Sequence, residues 1–139
     1  MKTYFDTSAI VPLLLQEPHT QAALEVWSQS SQCYAWLWLE VETEAALQRR
    51  AAPASAWKNW ERIRSSINFL TFPDSEIPAL RFLNRSLGLR AADAGHLFVM
   101  EKLSRVEPII RLACFDIEML KSASTLQLLT TENLAGNEP

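Results

Sequence analysis

Four short runs, "TYF", "CYAW", "INFLTF" and "IIRLACF", punctuate the chain. Their β-branched and aromatic make-up is that of strands. Stretches of good helix formers separate them. Strands that alternate with helices are joined by crossovers, and crossovers favour a parallel sheet with helices on both faces. A further run, "LQLL", can add a last strand. The expected fold is therefore α/β, with a central parallel sheet of four to five strands. In open sheets of this kind, functional groups gather at the carboxyl ends of the strands.

The helices have their own punctuation. "DTS" follows "TYF" and suits a turn or a helix N-cap, so Asp6 is expected where a strand gives way to a helix. Pro18 suits the first turn of a helix running to about Ser30. "WLEVETEAALQRR" reads as a helix whose two arginines suit its negative end. Pro53 opens another, on which Trp57, Trp60, Ile63 and Ile67 form one apolar stripe. Asp74 or Ser75 can cap a helix that ends at Leu87, with Gly88 in the left-handed position beyond it. "AADAGHLFVMEKL" is the next helix, and a short one follows Asp116 to about Ala123. No repeat or linker divides the chain, so residues 1–130 are expected as one domain and 131–139 as a loose tail.

Composition narrows the function classes. The chain has 139 residues, enough for a real core, and 48% are hydrophobic, which argues against disorder. Its net charge of −3 is not the strongly basic balance of a bulk nucleic-acid binder. Cys33 and Cys114 are far apart, which fits two reduced thiols in a cytoplasmic protein better than a zinc site or a disulfide framework. No signal-peptide pattern opens the sequence, and no apolar stretch is long enough to span a membrane. The three glycines, at 88, 95 and 136, cannot make a glycine-rich phosphate loop.

The acids are more informative. Of four aspartates, Asp6, Asp93 and Asp116 stand in apolar surroundings, whereas Asp74 lies in the polar "FPDSE" and reads as a cap. Asp6 and Asp116 each follow a strand, so both are expected at one sheet edge. "LEVETE" offers Glu40, Glu42 and Glu44 on one helix, where they cannot all face one way. Glu42 shares a face with Leu39, Ala46 and Arg49, and Glu40 shares one with Leu37 and Leu47; helical geometry leaves both open. If a glutamate joins the three aspartates, the site is strongly negative, and close carboxylates stay ionised only around a cation. Oxygen ligands suit Mg²⁺, or Mn²⁺ in its place, and hence phosphate chemistry. The ordinary alternative is a set of separate helix caps that needs no metal.

Taken in order, these segments resemble a known family. "YFDTSAIVPLLLQE" resembles the opening of PIN-domain ribonucleases, especially the VapC-type toxins of toxin–antitoxin pairs. "EVETEAALQRR", "LRAADAGHLFVMEKL" and "ACFDIEMLKSASTLQL" resemble the blocks that follow, and the likeness extends from Tyr4 to about Leu128. The resemblance implies a three-layer PIN-like sandwich and Mg²⁺- or Mn²⁺-dependent cleavage of RNA. It assigns Asp6, Asp93 and Asp116 to the first, third and fourth acids. It favours Glu42 over Glu40 as the second, because Ala46, Leu47 and Arg49 follow at the family's offsets. Ser8 matches a hydroxyl position beside the metal site. Two features depart from the family pattern: Cys114 stands where Thr or Ser is frequent, and "YAWLW" replaces a Ser before the second-block helix.

The resemblance also implies a mechanism and partners. Asp6, Asp93 and Asp116 would hold a cation on the scissile phosphodiester. Glu42 would help to orient or deprotonate a water, and in-line attack would leave a 5′-phosphate and a 3′-hydroxyl. Arg49, Arg85 and Arg90 are candidates for holding RNA, although exposed arginines need no special reason. His96 reads as a packing or hydrogen-bonding residue rather than a ligand. A cognate antitoxin protein and a homodimer are the implied partners. Trp36, Trp38, Trp57 and Trp60, read as lying on two neighbouring helices, suit the core or a partner groove. Two rival classes fit less well. A haloacid dehalogenase-type phosphatase wants a second acid where Ser8 stands, and a receiver domain wants adjacent acids near the first strand. A PIN-like module that only binds RNA or protein is the remaining alternative, and loss of an acid would be its sign.

Overall fold

The computed structural model describes residues 1–131. Its centre is one all-parallel sheet of four strands: β1 (Lys2–Phe5), β2 (Gln32–Trp36), β3 (Ile67–Leu70) and β4 (Ile110–Ala113). Their spatial order is β3-β2-β1-β4. The chain steps outward from β1 to β3, then returns to lay β4 on the other side of β1. That reversal makes the gap beyond β1 and β4 the topological switch point, where open parallel sheets leave room for ligands. Phe5 lies opposite Ala113, and the Asp6 N–H extends the ladder to the Ala113 carbonyl at 3.1 Å.

Seven α-helices surround the sheet among the described residues. They are α1 (Thr7–Leu14), α2 (Thr20–Ser28), α3 (Trp38–Arg49), α4 (Ala54–Arg64), α5 (Ile77–Leu87), α6 (Ala91–Val106) and α7 (Ile117–Thr125). Strand side chains alternate between two apolar layers, as the pleat requires. Phe5, Cys33, Ala35 and Ala113 pack with α1 to α4 around the fully buried Trp60. Tyr4, Ile110, Leu112 and Cys114 pack with α6 and α7. The expected three-layer α/β sandwich is the observed one. No helix among the described residues is long and apolar enough to cross a membrane.

Several local readings change. Helix α2 starts at Thr20 rather than at Pro18, because Thr20 Oγ1 bonds the Glu17 N–H and the Leu15 carbonyl and so holds the preceding turn. Ile67 is not on the α4 stripe; α4 ends at Arg64 and Ile67 opens β3. Trp36 closes β2 and does not share a helix with Trp38. Neither Asp74 nor Ser75 makes a side-chain cap: residues Asp74–Glu76 form a 3₁₀ turn that leads into α5. "LQLL" is not a strand. Gln127 takes a positive φ of 59°, and the chain then touches the β4 edge through one bridge, Leu112 to Thr130. The segment expected as a loose tail, 131–139, lies outside the described residues beyond Thr131. Gly88, in contrast, adopts the expected left-handed conformation, with φ 66°.

Arg111, 4% exposed, is a buried cation on β4. Its guanidinium donates to Thr3 Oγ1, to Gln29 Oε1 and to the Val26 carbonyl, fastening the end of α2 to the start of the sheet. On the opposite side, Gly95 lets α6 approach the sheet closely, because a Cβ there would run into the Trp36 ring. That ring stacks on Phe72 and meets His96 edge-on. Gly95→Ala is therefore expected to lower stability by about 1–3 kcal/mol, the range for overpacking, despite alanine's better helix propensity. Urea unfolding monitored by tryptophan fluorescence measures it.

Candidate functional site

The site is built by the chain leaving β1 and β4 side by side. Asp6 follows β1 directly and caps α1: Oδ1 accepts the Ser8 N–H at 2.5 Å, and Oδ2 accepts the Ser8 hydroxyl at 3.0 Å. Ser8 Oγ in turn accepts the Phe115 N–H at 2.8 Å, so one hydroxyl ties the end of β1 to the end of β4. Asp116 follows and caps α7 by accepting the Met119 N–H at 2.9 Å. Asp93 lies in the first turn of α6, half-buried. Cys114, at the position where the family prefers a hydroxyl, accepts the Asp116 N–H at 3.4 Å and lies 3.7 Å from Ser8 Oγ.

The two candidate glutamates separate cleanly. Glu42 faces the site: Oε1 accepts the Thr7 hydroxyl at 2.9 Å and lies 2.6 Å from His96 Nε2. Glu40 points across to α4, where it pairs with Arg64. Glu44 accepts the Trp60 indole N–H at 3.1 Å and so serves the core. Glu42 is thus turned toward the β1/β4 edge, near enough to act with Asp6 and Asp116 on the charge of Asp93, and Glu40 is turned away.

Burial and mutual repulsion show in the acids. Burial raises the Asp6 carboxyl above its ordinary range, opposed in part by nearby His96, by Cys114 and by the hydrogen bonds from Ser8. Asp93 is also raised, first by burial and then by the charges of Asp6, Asp116 and Glu42. Cys114 is held firmly as a thiol by burial and by Asp6. Cys33, in the core, is pushed up to about 11 by burial. Among the described residues, no group of three or more His, Cys, Asp or Glu side chains stands close enough together to hold a metal ion as placed. An open, all-oxygen set of mutually repelling carboxylates suits Mg²⁺ or Mn²⁺. Mg²⁺ in particular keeps several waters and takes one or two carboxylates from the protein.

Two grooves flank the acids, and Asp116 borders both. One, about 610 Å³, is lined by Ser8, Glu42, Trp38, Val41 and Arg49. The other, about 400 Å³, is lined by Asp93, Arg90, Ser86 and Lys121. Arg49 and Arg90 thus lie on opposite sides of the acids, whereas Arg85 borders neither groove. Sequence reasoning missed Thr7, which it read only as turn chemistry. It also missed Tyr4, whose hydroxyl reaches His96, and the stack of His19 on Phe115 beside the first groove. His19 carried no sequence signal at all. His96 is a hydrogen-bonding residue, as its place on the Asp93 helix suggested.

The sequence profile of the PIN domain matches residues 3–107. The chain belongs to the PIN domain family. Among solved structures it is similar to VapC20 of Mycobacterium tuberculosis, a sarcin–ricin loop cleaving toxin. The TM-score is 0.68 at 18% identity, over 87% of this chain and 95% of that one. It is also similar to PAE2754 of Pyrobaculum aerophilum, with a TM-score of 0.64 at 18% identity over 96% of this chain and 92% of that one. These likenesses establish the PIN fold. No curated relative matches the chain significantly.

Two outcomes follow from the acids. Glu42→Gln should weaken Mn²⁺ binding by about tenfold, while Glu40→Gln leaves it unchanged, as read by isothermal titration; the reverse order would move the second acid to Glu40. Metal-free stability should fall as pH rises from the ordinary aspartate range through the raised native values of Asp6 and Asp93. In that window the native state binds more protons than the unfolded chain. Asp93→Asn removes one of the repelling charges, so it should raise the melting temperature of the metal-free protein by a few degrees at neutral pH.

Proposed function

We propose that the chain is a Mg²⁺- or Mn²⁺-dependent endoribonuclease, acting in the cytoplasm as the toxin of a toxin–antitoxin pair. The observation that supports this reading is that Asp6 and Asp116 follow the paired strands β1 and β4 side by side, with Asp93 near enough to feel both of them and Glu42. PIN-family membership and the RNA-cleaving activity of VapC20 support RNA as the substrate class.

Asp6, Asp93 and Asp116 would hold the cation. When bound, it supplies positive charge to the scissile phosphodiester and makes a water easier to deprotonate. Glu42 orients that water or takes its proton, and Ser8 keeps Asp6 aligned through its hydroxyl. In-line attack leaves a 5′-phosphate and a 3′-hydroxyl. RNA lies along the two grooves, with Arg49 and Arg90 holding phosphates on either side of the cut. The antitoxin covers the same edge, where Trp38 and Val41 expose apolar surface beside the acids. A homodimer is supported by α5: none of its 11 residues is buried, and Ile77 and Phe82 stand exposed on it.

The test is cleavage of total RNA with Mn²⁺ against EDTA. Asp6→Asn should slow it by more than about 100-fold, beyond the range for groups that only support a ligand, while circular dichroism shows the same fold. Cleavage at the wild-type rate would overturn the site. Tight RNA binding with no Mn²⁺-dependent cutting by the wild type would favour the non-catalytic module instead.

A further inference from the structure

His96 is the end of a chain of hydrogen bonds that begins in the sheet. The Trp36 backbone N–H donates to the Tyr4 hydroxyl at 3.2 Å. That hydroxyl lies 3.1 Å from His96 Nδ1, and His96 Nε2 lies 2.6 Å from Glu42 Oε1. Tyr4 is 0% exposed and His96 1%. A buried phenol has one proton and needs an acceptor for it. With one lone pair taken by Trp36, the Tyr4 proton has His96 Nδ1 as its acceptor. A proton on Nδ1 instead would leave the phenol proton buried without a partner, at about 1–3 kcal/mol. The imidazole proton is therefore on Nε2, directed at Glu42. The ring is also clamped sterically, with Trp36 edge-on at 5.3 Å.

The consequence falls on Glu42. Both of its hydrogen bonds, from Thr7 and from His96, go to Oε1. Among the described residues none is made to Oε2. A carboxylate held by one oxygen in this way has its rotation fixed and its other oxygen free for the site. Such outer partners are what orient carboxylates and histidines around metals. We propose that His96, with its tautomer set by Tyr4, is a positioning residue that fixes Glu42 with Oε2 free for the cation or its water. This rests on the reading of the acids as a cation site; the tautomer itself does not.

Two measurements test it. The chain has two histidines, so imidazole ¹⁵N spectra of the metal-free protein are readily assigned with His19→Gln. His96 should give one neutral form with the proton on Nε2, and Tyr4→Phe should give a mixture of tautomers. A proton on Nδ1 in the wild type overturns the proposal without any variant having to fold. The second measurement is Mn²⁺ binding by isothermal titration, with thermal melts as the folding check. His96→Leu keeps bulk but donates nothing, and should weaken binding by about tenfold. His96→Gln retains an N–H for Glu42 and should recover affinity to within about threefold of wild type. Equal loss in both variants, or wild-type affinity in both, overturns the positioning role. If Asp6→Asn also leaves Mn²⁺ binding untouched, the fault lies in the proposed function, and the tautomer spectrum still decides the arrangement of His96.

Discussion

A buried carboxylate at a strand end has to be compensated, and the acid edge is organised around how Asp6 is compensated. Ser8 supplies both an N–H and a hydroxyl to it, and the same hydroxyl receives the Phe115 N–H from beyond β4. Neutralising Asp6 with an arginine would have been the stronger local solution, but it would have filled the space and cancelled the charge. Hydrogen bonds from neutral groups keep the oxygen atoms in place while leaving the charge available. The same three groups also lock the ends of β1 and β4 together, so the geometry of the switch point and the orientation of its first acid are one arrangement.

Caps and ligands are not competing explanations here. Asp6 and Asp116 do cap their helices, as a purely local reading has it. Each cap nonetheless places its carboxylate at the same edge, because both strands end there. Capping settles where the carboxylate is; the parallel topology settles that two such caps become neighbours. Asp93 then arrives from the first turn of α6, where burial first and the charges of Asp6, Asp116 and Glu42 second raise its carboxyl. These acids are thus held near one another by the packing beneath them.

Much of this was legible in the sequence, for identifiable reasons. Strand runs and helical stretches differ in residue type, so the α/β alternation showed through. Asp6, Asp93 and Asp116 stood out because charges are rare among apolar neighbours. What failed was whatever depended on tertiary contact or on one backbone angle. Ile67 continues the spacing of the α4 stripe but falls beyond the turn that ends the helix. "LQLL" has strand composition, yet Gln127 with its positive φ breaks the extension. Helical geometry left Glu40 and Glu42 open and the family resemblance favoured Glu42; their neighbours, Arg64 on one side and Thr7 with His96 on the other, now tell the two faces of α3 apart. Tyr4 gave no hint of its part, since a buried strand tyrosine is ordinary until its hydroxyl is traced.

Arg111 gives the sheet an internal polarity that the modest net charge conceals. Its register partner Thr3 is three residues before Asp6, or roughly 10 Å along the strand at about 3.3 Å per residue. The buried positive charge therefore sits near the strand starts and the carboxylates crowd beyond the strand ends. Arg111 also commits each of its three nitrogens to a bond, to Thr3, Gln29 or the Val26 carbonyl. It is too far away and too committed to act as counter-ion for the acids. Arg111 leaves that edge uncompensated, and the positive charge set beside the acids is on the exposed Arg49, Arg90 and Lys121 of the grooves, so whatever gathers there meets a field that the interior leaves unbalanced.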